Sequence, residues 1–394
     1  MRVYSSVSWI AIALVSFVVG CGDSSNSKNA ASGGSAAVGG SDGTGGNTDE
    51  TSLGGGDAAG GTTSVDNSTG GDNATGGTAG PVDYTCKNLP APIGSAGVAK
   101  PIGTAGNLKV IDWAGYKGAV SFTHDDETNS VLGAYATINA LGIHYTFYVV
   151  TGWGNFSSSV LKLAVTDGHE IGNHTSTHSS TITEAAVTDA TTAIQQKLGV
   201  TPYTFAAPNG TNGGTGWEQY ARTRFIIDRG VANGLMKPND TVDQWNTYCY
   251  IPPAAQTAVN MQNELLTAQT SGGWKVMLVH GFTTVSDGAY LPIVLEDYVA
   301  TVQYVKDLGN VWIDTVRNIG SYWVGQKLVT KASATASGSD QVYTWTWPSF
   351  YPPNSCVRVT VDGGTLKQNG TELQWNDHGY YEVSLNAGSL TLSP

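Results

Sequence analysis

The sequence predicts an α/β protein with a parallel sheet, followed by a small all-β sandwich. Two observations carry this. From about residue 104 to residue 315, short apolar runs alternate with stretches of helical spacing. Such βα alternation builds a parallel sheet, either a barrel or a doubly wound one. After about residue 327 the helical spacing stops, and short runs are separated by turns rich in Gly, Asn and Asp, which suits a small sandwich.

Along the chain, the strand-like runs are "GAVSFT" (118–123), "HYTFYVV" (144–150), "YTFAAP" (203–208), "RFIID" (224–228), "VMLVH" (276–280) and "VWIDT" (311–315). Helices are expected between them. "VLGAYATINAL" places Val131, Tyr135 and Ile138 on one face. "EAAVTDATTAIQQKLG" aligns Val187, Ala190, Ile194 and Leu198 and stops at Gly199, while "VLEDYVATVQYVKDLG" aligns Leu295, Tyr298, Val302 and Val305 and closes at Gly309. In the last segment "QVYTWTW", "CVRVTVD", "TELQWN" and "YYEVSLN" read as strands around "DGG", "QNG" and "NDHG" turns. There Tyr343, Trp345 and Trp347 alternate onto one side, a stripe read as core or inter-domain contact in preference to a sugar platform.

The first residues, "MRVYSSVSWIAIALVSFVVGCGD", have Arg2, an apolar run and then small residues, the layout of an export signal. Val18-Val19-Gly20-Cys21 resembles the end of a bacterial lipoprotein signal, with Cys21 as the lipid-modified first residue. Acyl chains would then anchor the protein without a membrane span. Residues 22–82 are a low-complexity run of Gly, Ser, Thr, Asn and Asp with almost nothing to bury, expected to be a disordered tether. Seven carboxylates and one Lys in that run account for half of the formal net charge of −12. The acidic balance argues against nucleic acid as a partner. In an exported chain one disulfide is expected among Cys86, Cys249 and Cys356, with the pairing left open.

"SFTHDDETNS" (121–130) sets Asp125 and Asp126 side by side where an apolar strand ends. Most such doublets are solvated turn residues, because adjacent anions repel unless a cation or divided roles accommodate them. "GHEIGNHTSTHSS" (168–180) also follows a short apolar run, and its His174 and His178 are four apart. That spacing puts both imidazoles on one side of a helical turn, able to grip one metal ion. Two His and one carboxylate leave coordination positions open, as in a catalytic site. Asp126 would bind the cation and Asp125 would stay free to accept a proton. His280 ends "WKVMLVHG" at another strand outlet, where it could donate a proton to a leaving group. His124 should point to the opposite face of its strand and pack. His144 and His169 read as structural, and His378 as solvated.

Together these residues resemble the polysaccharide deacetylases, carbohydrate esterase family 4. That family's motifs run as an Asp-Asp doublet, His-[Ser/Thr]-x-x-His, an Arg-x-Pro-x-Gly type segment, an Asp/Trp segment and Leu-x-His. This chain has "SFTHDDE", "HTSTH" (174–178), "FAAPNG" (205–210) and "LVH" (278–280) in the same order, over roughly residues 104–326. The resemblance implies a distorted (β/α) barrel with fewer than eight units. It implies Asp125 as catalytic base, and Asp126, His174 and His178 as ligands of a divalent metal, usually Zn2+ with Co2+ or similar possible. His280 matches the general acid, and the backbone amide of Asn209 would help hold an oxyanion. Four parts follow: a lipoprotein-type signal peptide (1–21), a tether (22–82), a deacetylase domain (83–326) and a C-terminal β-sandwich (327–394).

Two departures stand out. Ala206 occupies the place where many members carry an Arg that pairs with the base, and Arg229 in "FIIDRG" is a candidate substitute. The carboxylate that orients His280 could come from Asp228 or from Asp243 in "DQW"; Asp228 is favoured because it leaves a strand. The expected activity is removal of acetyl groups from an N-acetylated polysaccharide, chitin- or peptidoglycan-like, with a metal-activated water as nucleophile. The alternatives are an O-acetyl esterase on xylan-like polymers and a non-catalytic sugar-binding surface lipoprotein. Trp153, Trp217 and Trp245 are candidates for a sugar-stacking groove. The protein is expected to act as a monomer, exported and lipid-anchored to the bacterial cell envelope.

Overall fold

The computed structural model describes residues 85–210, 217–254 and 256–394. The signal ending at Cys21 and the tether 22–82 lie outside the described residues. Among the described residues no helix is long and apolar enough to cross a membrane.

In chain order the first part contains β1 (Lys109–Val110), β2 (Gly118–Asp125), α1 (Asn129–Asn139), β3 (Thr146–Val149), α2 (Ser159–Thr166), β4 (Glu170–Asn173), α3 (Glu184–Leu198), β5 (Thr204–Ala206), α4 (Trp217–Ala221) and β6 (Ile227–Arg229). There follow α5 (Ala258–Ser271), β7 (Trp274–Val279), α6 (Leu295–Asp307), β8 (Val311–Ile313) and α7 (Val316–Lys331). Seven of these strands form one parallel sheet in the order β6-β5-β4-β3-β2-β7, with β8 beside β2. Every residue of β2 is buried, as a strand covered on both faces requires. The helices stop and start where local chemistry dictates. The Thr183 hydroxyl caps α3 by accepting from the Ala186 amide, and Gly199 ends it in the left-handed region at φ 73°.

The sheet curls into an incomplete barrel, and among the described residues no strand pairs β6 with β7. An extended segment fills that gap: Thr247 bridges to Arg229 on one side and Tyr250 to Met277 on the other. The barrel is distorted and short of eight units, as the resemblance implied.

The last part holds β9 (Ala334–Ser337), β10 (Asp340–Thr344), β11 (Cys356–Thr360), β12 (Thr365–Gln368), β13 (Thr371–Glu372), β14 (Tyr381–Ser384) and β15 (Ser389–Ser393). They make two antiparallel sheets, β13-β12-β15-β10-β9 and β1-β11-β14. The second sheet borrows β1 from ahead of the barrel, and Cys86 is disulfide-bonded to Cys356 at the start of β11. Among the described residues Cys249 is the free thiol, and it is buried.

Helix α7 joins the two parts. It is buried on nearly all sides, the pattern of a helix inside a core. A Cβ at Gly320 would lie 2.6 Å from Ile227 of β6, and one at Gly325 would lie 2.3 Å from Leu385 of the sandwich. Both contacts are closer than side chains tolerate, so the missing Cβ atoms let the helix seat against both neighbours. Tyr343, Trp345 and Trp347 are half-buried against the same core, in keeping with packing.

Candidate metal centre and active site

Parallel strands point one way, so their C-terminal ends share one rim, where α/β barrels assemble ligands. Asp125 and Asp126 close β2, His174 follows β4, Asn209 lies just past β5, Arg229 ends β6 and His280 follows β7. All six line one cavity of about 390 Å³, joined by His178, Tyr290 and a few apolar neighbours.

Asp126, His174 and His178 each offer one ligand atom, and these atoms lie within 4.8 Å of one another. Asp126 Oδ1 is 3.2 Å from His178 Nε2 and 3.5 Å from His174 Nε2. Burial works to raise the Asp126 carboxyl, but the two imidazoles outweigh it and hold it below the usual carboxylate range. Its Oδ1 is enclosed yet closes no hydrogen bond of good geometry. His174 Nδ1 donates to the Ala206 carbonyl at 2.7 Å. A carbonyl can only accept, so the proton sits on Nδ1 and the Nε2 lone pair faces the cavity, the arrangement that orients metal-bound histidines. An enclosed carboxylate oxygen without a donor, beside two imidazole lone pairs, fits a divalent cation. Two imidazoles and one carboxylate leave coordination positions open, as a catalytic metal site requires.

The His174–His178 segment is not the helical turn its spacing suggested. Thr175 and His178 adopt left-handed backbone, with φ of 66° and 53°. Side chains impose this path. The Thr175 hydroxyl accepts the His178 amide at 3.0 Å, and Asn173 Oδ1 accepts the Thr175 amide at 2.8 Å. Competing side-chain bonds of this kind displace helix in short Ser/Thr/Asn runs. Asp126 and Asn209 are also left-handed, at φ 74° and 59°. Non-glycine residues held there cost about 1–3 kcal/mol each and gather at functional sites.

Arg229 Nη2 donates to Asp125 Oδ2, and both side chains are buried. Its Nη1 donates to the Gly230 carbonyl at 3.2 Å, and the guanidinium lies 5.2 Å from the centre of the Tyr148 ring. Asp125 Oδ1 is enclosed without a partner. His280 lines the cavity with its Nδ1 also unpartnered. Burial lowers its pKa against the pull of Asp125 and Asp126. Neither candidate carboxylate bonds it. Asp228 is wholly buried, with neither oxygen in a good hydrogen bond, and burial pushes its carboxyl well above the ordinary range. Asp243 accepts from Arg222 at 3.1 Å and from the Trp245 amide.

Several supporting residues escaped the sequence reading. Glu127 is buried and takes the Val150 amide on both carboxylate oxygens, at 3.1 and 3.0 Å, which ties the doublet's turn to β3. Its position in "DDE" was the available signal. Nothing in the sequence marked Tyr148, or Tyr290, which meets His280 edge-on. His124 packs among Phe147, Tyr145 and Tyr298, as expected from its strand face.

The polysaccharide deacetylase family model matches residues 114–225. A curated gellan lyase from Bacillus sp. is 28% identical over 245 residues, which is 54% of this chain and 9% of that protein. The chain therefore spans less than a tenth of that relative. Among solved structures, a family 4 acetyl xylan esterase from Clostridium thermocellum is similar at 19% identity and TM-score 0.36, covering 51% of this chain and 89% of that one. A peptidoglycan deacetylase from Bacillus subtilis is similar at 17% identity and TM-score 0.34, with coverages of 51% and 89%. The family match runs from before β2 to just past α4 and contains Asp125, Asp126, His174, His178 and Asn209; over this segment the chain is similar to the polysaccharide deacetylases.

Proposed function

We propose that the protein is a zinc-dependent hydrolase that removes acetyl groups from an N-acetylated polysaccharide, chitin- or peptidoglycan-like. The observation that carries this reading is the buried Asp125–Arg229 pair beside the Asp126, His174 and His178 ligand set. It supplies a carboxylate next to the metal position and a cation to hold it, where Ala206 has none to give.

A divalent metal at these ligands would polarise an acetyl carbonyl and acidify a water molecule. The chain's own groups do the rest. Arg229 occupies Asp125 Oδ2, which leaves Oδ1 to accept a proton as water adds to the carbonyl. The Asn209 amide, on its left-handed turn at the rim, is offered to the developing oxyanion. His280 gives a proton to the departing nitrogen. One water and one amide are consumed; acetate and a free amine leave. The catalytic unit is assigned to residues 83–326 and the sandwich to 327–394. Export and lipid anchoring at the cell envelope through Cys21, with action as a monomer, complete the proposal.

Acetate release by the full chain with added zinc tests it, against N-acetylated chitin oligomers and O-acetylated xylan, with Asp125→Asn as the blank. Release from the oligomers that is lost in the blank and on chelation supports the amidase reading. Release from xylan alone makes the protein an esterase. Zinc binding with no release from either overturns the catalytic reading.

A further inference from the structure

Tyr148 stands directly beside Asp125. In the parallel register of the sheet it is level with Asp125 on β2 and with Gly172 on β4, and its carbonyl accepts the Asp126 amide at 3.2 Å. A Cβ on Gly172 would lie 2.5 Å from Tyr148 Cδ1 and Cε1. The glycine thus leaves room for the ring to lean over β4, where the Arg229 guanidinium lies 5.2 Å from its centre.

Little else holds Arg229 in place. It is buried, and its Nε closes no hydrogen bond of good geometry. Nη1 donates to the Gly230 carbonyl and Nη2 to Asp125, the one anion it pairs with among the described residues. Cys249 beside it is no second anion, since burial pushes the thiol up to about 12. The side chain reaches Asp125 past β5, β4 and β3, and fixing a long side chain over such a span costs rotamer freedom. A buried cation with few bonds is also poorly solvated. An aromatic face within about 6 Å supplies negative potential where water cannot.

The ring has a firm seat. Tyr148 is wholly buried, and burial keeps its hydroxyl neutral. That hydroxyl lies beside Thr204 and closes no hydrogen bond of good geometry, so the face is what the side chain contributes. Thr204 donates to Glu170 Oε1 at 2.6 Å, and Glu170 Oε2 accepts from the Thr146 hydroxyl and the Arg317 amide, each at 2.8 Å. These bonds tie β5, β4, β3 and the first turn of α7 together around the ring.

We propose that Tyr148 is a positioning residue: its ring face clamps the Arg229 guanidinium against Asp125, which keeps one carboxylate oxygen tied and the other free. Its effect on turnover rests on the deacetylase reading; the clamp itself does not.

Substitutions at Tyr148 in the zinc-loaded full chain test this, with N-acetylated chitin tetramer as substrate. Tyr148→Leu should lower kcat about ten- to a hundredfold by misplacing the carboxylate. KM, and zinc affinity by calorimetry, should stay within about twofold, because the ring touches neither substrate nor metal ligand directly. Tyr148→Phe keeps the face and should hold kcat within about twofold. Tyr148→Met fills the space without a π face, should match Tyr148→Leu, and decides the matter if the Leu variant does not fold. A second readout needs no turnover. The chain has six arginines, so isotope-labelled arginine gives few side-chain NMR signals, and Arg229→Lys identifies those of Arg229 by their loss. A clamped guanidinium shows separate Nη–H signals because its rotation is blocked. Tyr148→Phe should keep them separate, and Tyr148→Leu and Tyr148→Met should merge them. Signals that stay separate without the ring, or that merge in Tyr148→Phe, would overturn the proposal. So would a Leu or Met variant with the kcat of the parent. Ring-dependent signals in a parent that releases no acetate keep the clamp and remove the deacetylase. Acetate release with ring-independent signals does the reverse.

Discussion

Arg229 at the end of β6 reaches Asp125 at the end of β2, 104 residues earlier in the chain. The two strands are separated in the sheet by β5, β4 and β3, so the ion pair crosses the barrel instead of running between neighbours. Both side chains are buried, and under the proposed function Arg229 supplies the cation that Ala206 does not. Arg229→Met should therefore leave an unpaired carboxylate in the interior. The expected cost is about 3–5 kcal/mol of stability by urea denaturation, with acetate release abolished. An unchanged midpoint would mean that the pair is not formed in solution.

Zinc should raise the melting temperature of the native protein, and a chelator should reverse the rise. At a free concentration one hundred times the dissociation constant the gain is about 2.7 kcal/mol. His174→Ala should remove the response by taking away a ligand and its bond to the Ala206 carbonyl. A variant that still responds fully would place the metal elsewhere.

Two buried histidines behind the site should make the protein acid-sensitive. Burial pushes His124 from 6.5 to about 3 and His169 to about 4. The folded chain refuses these protons, while the unfolded chain accepts them below about 6.5. Stability is thus complete above that pH and is lost as pH falls toward the folded values. For His124, which is fully enclosed, the slope is at most about 1.4 kcal/mol per pH unit. His169 accepts the Tyr145 amide on Nδ1 at 3.1 Å, a bond that protonation breaks. His169→Gln should flatten part of the slope in denaturation midpoints between pH 6.5 and 4. An unaltered slope would assign the sensitivity to other groups.

The disulfide ties the chain ahead of the barrel to the sandwich across 270 residues. Cys356→Ser with Cys86→Ser should cost about 2–5 kcal/mol, read as an earlier urea midpoint. No change would show that β1 and its neighbours hold this junction without it.

The rim of the cavity was legible because most of its candidate residues follow an apolar run, and strand polarity alone then gathers the ends. The His174–His178 turn was misread because a spacing of four suits a helix. What decides the backbone there is hydroxyl and amide bonding by Asn173 and Thr175, which periodicity does not register. β1 is two residues long, too short to carry a pattern, so its pairing with β11 left no trace. The closure of the barrel through Thr247 and Tyr250 rests on isolated bridges between distant segments and has no local signature. Arg229 could be nominated from sequence by its position next to a strand, but its reach to Asp125 depends on barrel curvature.

The central claim is a division of labour between adjacent carboxylates, with Asp126 holding the metal and Asp125 moving the proton. Zinc stoichiometry of Asp125→Asn and Asp126→Asn, by calorimetry on the metal-free chains, tests it most directly. The account predicts one zinc per chain in Asp125→Asn, with acetate release abolished, and little or no zinc at the same concentrations in Asp126→Asn. Equal loss of zinc in both variants, or its retention in Asp126→Asn, would contradict the account.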